Sequence, residues 1–342
     1  MTTTVPLIYS FPGFVGVADA VADHVISAQN QTLYNTTDLK QIEIIKQQKP
    51  PMSKTPSTVS VSNQSPLHSP SQSQNGINFQ MTSSSNNGNN GGKFKKEKKI
   101  PKRQETRFKI AISGGSLIKI LHQGLLPRQD YIEWDKWDIY FADERLVPFH
   151  SPDSNYGQAK REIFDLIKGD KKPNVYHVDE SLIYDNQEAA DDYEKQLIRN
   201  FAKKDSVKLP MFDLLLLGCA PDGHIASLFP NFGEQLREKL AWCLPVWNAP
   251  SGPKNRITLS IPVICHAARV TFVVEGLTKA PIIRTIMERP EKGLPSSIVN
   301  EGAAGRVSWF VDDAALNDLY DITKKQYKFL SFPQPDDEYE SI

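Results

Sequence analysis

The segment Phe212–Pro230, FDLLLLGCAPDGHIASLFP, constrains the fold more than any other stretch of the chain. Leu214 to Leu217 form a short apolar run without polar alternation, the pattern of a strand buried on both faces of a parallel sheet. Gly218-Cys219-Ala220-Pro221-Asp222-Gly223 cannot extend a regular element, so the run stops there. His224 follows at once. Open α/β sheets bind ligands beyond the carboxyl ends of their strands, which puts this turn on the functional edge. Imidazole releases its proton near neutral pH, so His224 is a candidate general base. A turn that merely contains a histidine would carry the same pattern.

The same grammar recurs upstream. Lys109-Ile110-Ala111-Ile112 reads as a strand and runs into Ser113-Gly114-Gly115-Ser116, with a helix start at Ser116. Strand, glycine-rich turn and helix N-terminus together make an anion cradle, because backbone N–H groups and the helix dipole both favour negative charge. Neither the Walker spacing nor the dinucleotide G-x-G-x-x-G is present. Trp137 to Ala142 is a third β-prone run, ending in Asp143-Glu144-Arg145. Ser154-Asn155-Tyr156-Gly157 then opens a helix predicted over 158–167. Arg145 either grips a phosphate as a two-pronged donor or pairs locally with Asp143 or Glu144.

These segments resemble the motif set of the 6-phosphogluconolactonase family, in particular its fungal SOL branch with a long insertion. SGGS, ADERLVP with SNYG, GCAPDGHIASLFP, RITLSIPVI, VEGLTKA and VSWFVDDAA occur in that family's order. The resemblance covers Pro6 to Asn30 and Phe108 to Leu319. It implies hydrolysis of 6-phospho-D-glucono-1,5-lactone, a phosphorylated sugar lactone, in the oxidative pentose phosphate pathway. No metal or organic cofactor is implied, since the ester is already activated. Ser113, Gly114, Gly115, Ser116, Arg145 and Lys279 would hold the phosphate, Lys279 by match to the family's G-x-x-K-A; an exposed helix-start lysine is the other reading of that residue. His224 would take the proton from water, with Asp222 or Asp143 orienting it. The family usually has Gly where this chain has Ala220 and Thr where it has Ile225, so a methyl is expected to crowd the turn and a hydroxyl is lost. Glucosamine-6-phosphate deaminases share D-G-H-I-A, but their following Phe-Asn-Glu-Pro reads here Ser227-Leu228-Phe229-Pro230, without the carboxylate.

Strands predicted at 109–112, 137–142, 213–217, 257–260, 270–274 and 307–311 alternate with helices such as 188–203 and 279–287. That alternation gives an α/β class, a mostly parallel doubly wound sheet with helices on both faces, as in the deaminase and ribose-isomerase relatives. The expected organisation is one domain from 1–30 and 107–330, an insertion over 31–106, and an acidic tail over 331–342. The insertion is rich in Ser, Gln, Asn, Pro and Lys and cannot bury enough apolar surface to order itself, a short helix at 38–48 excepted. Such a loop is tolerable because its closure entropy grows only logarithmically with length. Its basic end, Lys93 to Arg103, is either a solvated charge run or a contact for RNA or transport factors. The resemblance to the SOL branch, some of whose members are associated with tRNA handling, implies as the alternative a catalytically weak or inactive lactonase-like protein with a role in tRNA handling or nuclear export. Ser65-Pro66 and Ser69-Pro70 are candidate phosphorylation sites.

Composition bounds the rest. Forty basic and forty acidic residues cancel, so no whole-chain field selects nucleic acid or membrane. No apolar stretch approaches a bilayer span, and Met1 to Gly16 lacks the features of a secretory signal. A cytoplasmic protein, with a nuclear location open, is expected. Cys219, Cys243 and Cys265 have no metal-ligand spacing and read as free thiols, Cys219 as a small buried filler.

Overall fold

A computed structural model describes residues 6–48, 105–202, 208–320 and 322–330. The first half of the chain gives β1 (Leu7–Phe11), α1 (Gly13–Tyr34), α2 (Leu39–Gln48), β2 (Phe108–Ile112), α3 (Ser116–Leu125), β3 (Trp137–Phe141), β4 (Asp143–Arg145), α4 (Asn155–Glu162) and β5 (Asn174–Val175). Then follow α5 (Asn186–Phe201), β6 (Leu214–Leu217), α6 (Gly233–Arg237), β7 (Cys243–Val246), β8 (Arg256–Leu259), α7 (Ile261–His266), β9 (Val270–Val274), α8 (Ala280–Glu288), α9 (Pro295–Gly302) and β10 (Val307–Asp312).

Seven strands pair in parallel in the order β1-β10-β9-β6-β2-β3-β5. The four leucines of β6 show why the sheet needs a cover on each face. Leu214 and Leu216 join the core formed with α1 and α3, whereas Leu215 and Leu217 join the core formed with α5, α7, α8 and α9. A strand sends alternate side chains to opposite faces, so an unbroken apolar run demands two apolar layers. The helices are built to supply them. Asp185 caps α5 by accepting from the N–H groups of Gln187 and Glu188, both at 3.0 Å.

From β2 the chain moves outward to β3 and β5, then returns to place β6 on the other side of β2. The β2–β6 boundary is therefore the topological switch point, where the connections leave in opposite directions and open a crevice at the carboxyl ends.

Several expectations are corrected. The run at 257–260 forms a strand, but not in the parallel sheet: β8 lies between β4 and β7 in a separate antiparallel sheet. A short β-prone run carries no direction, and its pairing is set by partners far away in sequence. Asp143-Glu144-Arg145, read as a polar cluster after a strand, is itself β4. The first helix, α1, runs past residue 30 into the stretch assigned to the insertion. It continues to Tyr34, where Asn35 adopts a left-handed φ of 56°, and α2 follows, so 31–34 and 39–48 are helical. The helix predicted over 158–167 begins at Asn155 and ends at Glu162, with a short 3-10 turn beyond. The remainder of the insertion, its basic run and the acidic tail lie outside the described residues. Among the described residues no helix is long and apolar enough to cross a membrane.

Candidate functional site

A cavity of about 280 Å³ opens at the switch point. Ser113, Gly114, Gly115, Ser116, Asp143, Arg145, His224 and Lys279 all line it. They follow the carboxyl ends of four adjacent strands, β2, β3, β6 and β9, with Asp143 and Arg145 on β4 directly after β3. Asp222 stands behind His224. A larger groove of about 540 Å³ beside β5, lined by Tyr176, His177, Glu180 and Arg199 among others, gathers none of the predicted residues.

The cradle follows from local sterics. A Cβ on Gly114 would lie 1.7 Å from Asn155 Oδ1, so only glycine lets Asn155 pack there. Gly115 has φ +70°, a backbone that L side chains rarely adopt, and precedes α3 without a side chain to cap its first turn. The helix dipole, and the first-turn N–H groups other than that of Ile118, which donates to the Gly115 carbonyl at 3.1 Å, are thus left for a ligand. Ser113 Oγ is buried and has no hydrogen-bond partner among the described residues.

The β3 end is fixed by buried carboxylates. Glu144 accepts the N–H groups of Arg145, Asn155 and Tyr156, each at 2.8 Å, while burial pushes its carboxyl up to about 7. This pins the N-terminus of α4, whose Ser154 Oγ also accepts from the Gly157 N–H at 2.9 Å. Asp143 is 4% exposed. Its Oδ2 accepts from Ser227 Oγ at 2.7 Å and its Oδ1 from the Asn155 amide at 3.3 Å. Arg145 Nε stands 3.9 Å from Asp143 Oδ2, too far for a hydrogen bond, and Nη1 donates to the Asp153 carbonyl at 2.9 Å. Local pairing therefore leaves the Arg145 guanidinium in the cavity wall.

Beyond β6, the Gly223 N–H closes a turn onto the Ala220 carbonyl at 2.9 Å, and the Ala220 N–H donates to the His224 carbonyl at 3.0 Å. His224 Nδ1 lies 2.6 Å from Asp222 Oδ1. With Nδ1–H donating to that carboxylate, the Nε2 lone pair is available to a substrate. Burial lowers the His224 pKa from its ordinary value, opposed in part by Asp222, and the net lowering favours the neutral ring. Of the two carboxylates offered by sequence, Asp222 is the one bonded to His224, and Asp143 is engaged by Ser227 and Asn155. Ala220 is not among the positive-φ residues, so its methyl sits on ordinary backbone and the turn there needs no glycine dihedral. Ile225 is fully buried in the core, away from the cavity.

Past β9, both oxygens of Asp312 accept the Gly276 N–H at 3.0 Å and hold the turn that presents Lys279. Burial lowers the Lys279 pKa, against the opposing pull of Cys219, Asp222 and Glu275. Burial also pushes the Cys219 thiol up to about 12, so it stays protonated and inert. Sequence reasoning missed Glu275 in the cavity wall and the three residues behind it, Asn155, Ser227 and Arg256. All four lie within quoted motifs, Asn155 in SNYG, Ser227 in GCAPDGHIASLFP, Arg256 in RITLSIPVI and Glu275 in VEGLTKA, but nothing in those motifs marked them as site residues.

The family model for glucosamine-6-phosphate isomerases/6-phosphogluconolactonase matches residues 93–309. Two Saccharomyces cerevisiae proteins, 6-phosphogluconolactonase-like protein 1 and 6-phosphogluconolactonase-like protein 2, are each 62% identical over 96% of this chain and 98% of their own. A probable 6-phosphogluconolactonase of Schizosaccharomyces pombe is 44% identical over 67% of this chain and 90% of that protein. The 6-phosphogluconolactonase structure from Trypanosoma brucei matches with a TM-score of 0.54 at 27% identity, over 62% of this chain and 86% of that one. A monomeric glucosamine-6-phosphate deaminase, 13% identical, shares the fold with a TM-score of 0.53 over 91% of this chain and 99% of its own.

Proposed function

This chain belongs to the glucosamine-6-phosphate isomerase/6-phosphogluconolactonase family, and we propose that its cavity hydrolyses 6-phospho-D-glucono-1,5-lactone to 6-phosphogluconate, the lactone step of the oxidative pentose phosphate pathway. One observation carries the reading: a histidine held by a carboxylate faces the same cavity as an uncapped helix N-terminus with two cationic side chains. The Ser113–Ser116 turn, Arg145 and Lys279 hold the phosphate. His224 Nε2 takes a proton from water as the water oxygen adds to the lactone carbonyl carbon. Asp222 fixes the ring and stabilises the imidazolium that forms. When the tetrahedral intermediate collapses, the bond to the ring oxygen breaks and His224 returns the proton to it. The new acid then ionises to solvent.

Amine chemistry of the deaminase type finds less support. Where that family places its ring-opening Glu, this chain has Phe229, buried in an apolar cluster. Hydrolysis of freshly prepared lactone above its spontaneous rate tests the proposal. His224→Ala is expected to lower kcat/KM by about 10²–10⁴ with the fold retained. Wild-type rates in that variant would remove His224 from the mechanism, and an inactive folded wild type would overturn the function.

A further inference from the structure

The Asp143 carboxylate lines the cavity, yet both its oxygens are taken by side chains that lead away in opposite directions. On one side the Asn155 amide donates to the Asp143 carbonyl at 2.9 Å and to Oδ1 at 3.3 Å. The remaining amide oxygen of Asn155 has no hydrogen-bond partner among the described residues and is seated against Gly114, in the space a Cβ would occupy. On the other side Asp143 Oδ2 accepts from Ser227 Oγ at 2.7 Å. Ser227 lies three residues beyond His224, in a turn closed by Ile225–Leu228 backbone bonds of 3.3 and 2.9 Å. Asn155, Asp143 and Ser227 are 1%, 4% and 0% exposed, so close packing leaves them little freedom to move separately. From the same Ser227 hydroxyl the contacts continue to the His224 ring. Arg256 Nη1 donates to Ser227 Oγ at 3.4 Å and its guanidinium lies 5.3 Å from the Phe229 ring, which packs 4.5 Å from the His224 ring.

Resting on the proposed lactonase function, we propose that Asn155 and Asp143 are positioning residues that couple the phosphate cradle to the histidine loop. Phosphoryl binding at Gly114 thereby sets the geometry of His224. Binding energy from the non-reacting phosphate would then be spent on orienting the base, which raises turnover as well as affinity. The coupling makes the phosphate useful even when it is not attached to the lactone.

The test uses the full-length protein with unphosphorylated D-glucono-1,5-lactone, with and without inorganic phosphite, beside the phosphorylated lactone. Saturating phosphite is expected to raise kcat/KM for the unphosphorylated lactone by about 5–150-fold, the usual range of coupling between two sites. In Asn155→Ala and in Ser227→Ala the activation factor should fall towards one while phosphite still binds by calorimetry. Ser227→Ala removes a single hydroxyl and keeps the test decisive if Asn155→Ala does not fold. A ratio of rates within one protein is insensitive to a general loss of stability. Wild-type hydrolysis of the phosphorylated lactone without phosphite activation, or full activation in Ser227→Ala, would overturn the coupling alone. No wild-type hydrolysis of the phosphorylated lactone would overturn the proposed function and the coupling with it.

Discussion

His224 sits between two opposing influences, burial, which disfavours its charged form, and Asp222, which favours it. Burial wins, and the net lowering has a kinetic sign. If the neutral ring is the base, kcat/KM rises with pH through the imidazole pKa and levels off above it, so the midpoint should lie below the ordinary value of 6.5. Asp222→Asn removes the attraction that holds the pKa up, and the midpoint should move further towards acid. The plateau should fall by about tenfold or more, because a neutral amide stabilises the imidazolium poorly. A rate–pH profile of both proteins checks this. A midpoint displaced towards alkaline pH would contradict the pairing.

At the level of elements, the turn between β2 and α3 contains two glycines with different reasons to be there. Gly114→Ala would drive a methyl into Asn155 and should both weaken inorganic phosphate binding and cost about 1–3 kcal/mol, the usual cost of overpacking. Gly115→Ala meets open space and should cost only the strain of its positive φ, about 1–3 kcal/mol, with no methyl driven into Asn155. Thermal melts and phosphate titration of the two variants separate these causes, and equal effects would show that the close approach of Asn155 is unimportant. The same contrast explains what could be read from the chain. A glycine-rich turn after an apolar strand announces itself locally, and so do Leu214–Leu217 and the histidine loop after them. Asn155 against Gly114, or Ser227 bonded to an aspartate 84 positions earlier, leaves no local trace. For β4 the obstacle was composition: three charged residues form a strand only because β8 pairs with them and Asn155 and Ser227 satisfy the Asp143 carboxylate. The direction of β8 was illegible for the reason that makes all strand propensity weak, namely that packing partners decide it.

For the molecule as a whole, a parallel sheet must protect its two open edges. Beyond β1 the segment 322–330 does so: Lys324 bridges Ile8 in parallel and the Lys325 N–H donates to the Ile8 carbonyl at 2.8 Å. Tyr327 lies in an aromatic cluster, 5.3 Å from Tyr9 and 5.2 Å from Phe310, and its hydroxyl donates to Asp23 at 2.8 Å. The Leu330 N–H gives Asp23 a second bond at 2.9 Å. Asp23 is 1% exposed and burial raises its pKa, so ionising it costs stability as pH climbs above the ordinary 3.8, and these two donors offset part of that cost. Removing residues 322–342 should therefore destabilise the fold by about 2–5 kcal/mol, as expected when a buried carboxylate loses its partners. The deficit should grow with pH through the carboxylate range, the direction in which the unfolded chain releases its proton first. Tyr327→Phe, which keeps the ring packing, should reproduce only about 1–3 kcal/mol of it. Since β10 separates β1 from the strands that carry the cavity, kcat on the phosphorylated lactone should not change. Denaturant midpoints at pH 5 and pH 8 together with kcat would decide the matter: an unchanged midpoint would mean the segment merely rests on the sheet, and a parallel loss of kcat would mean that the edge strand and the site share one cooperative unit.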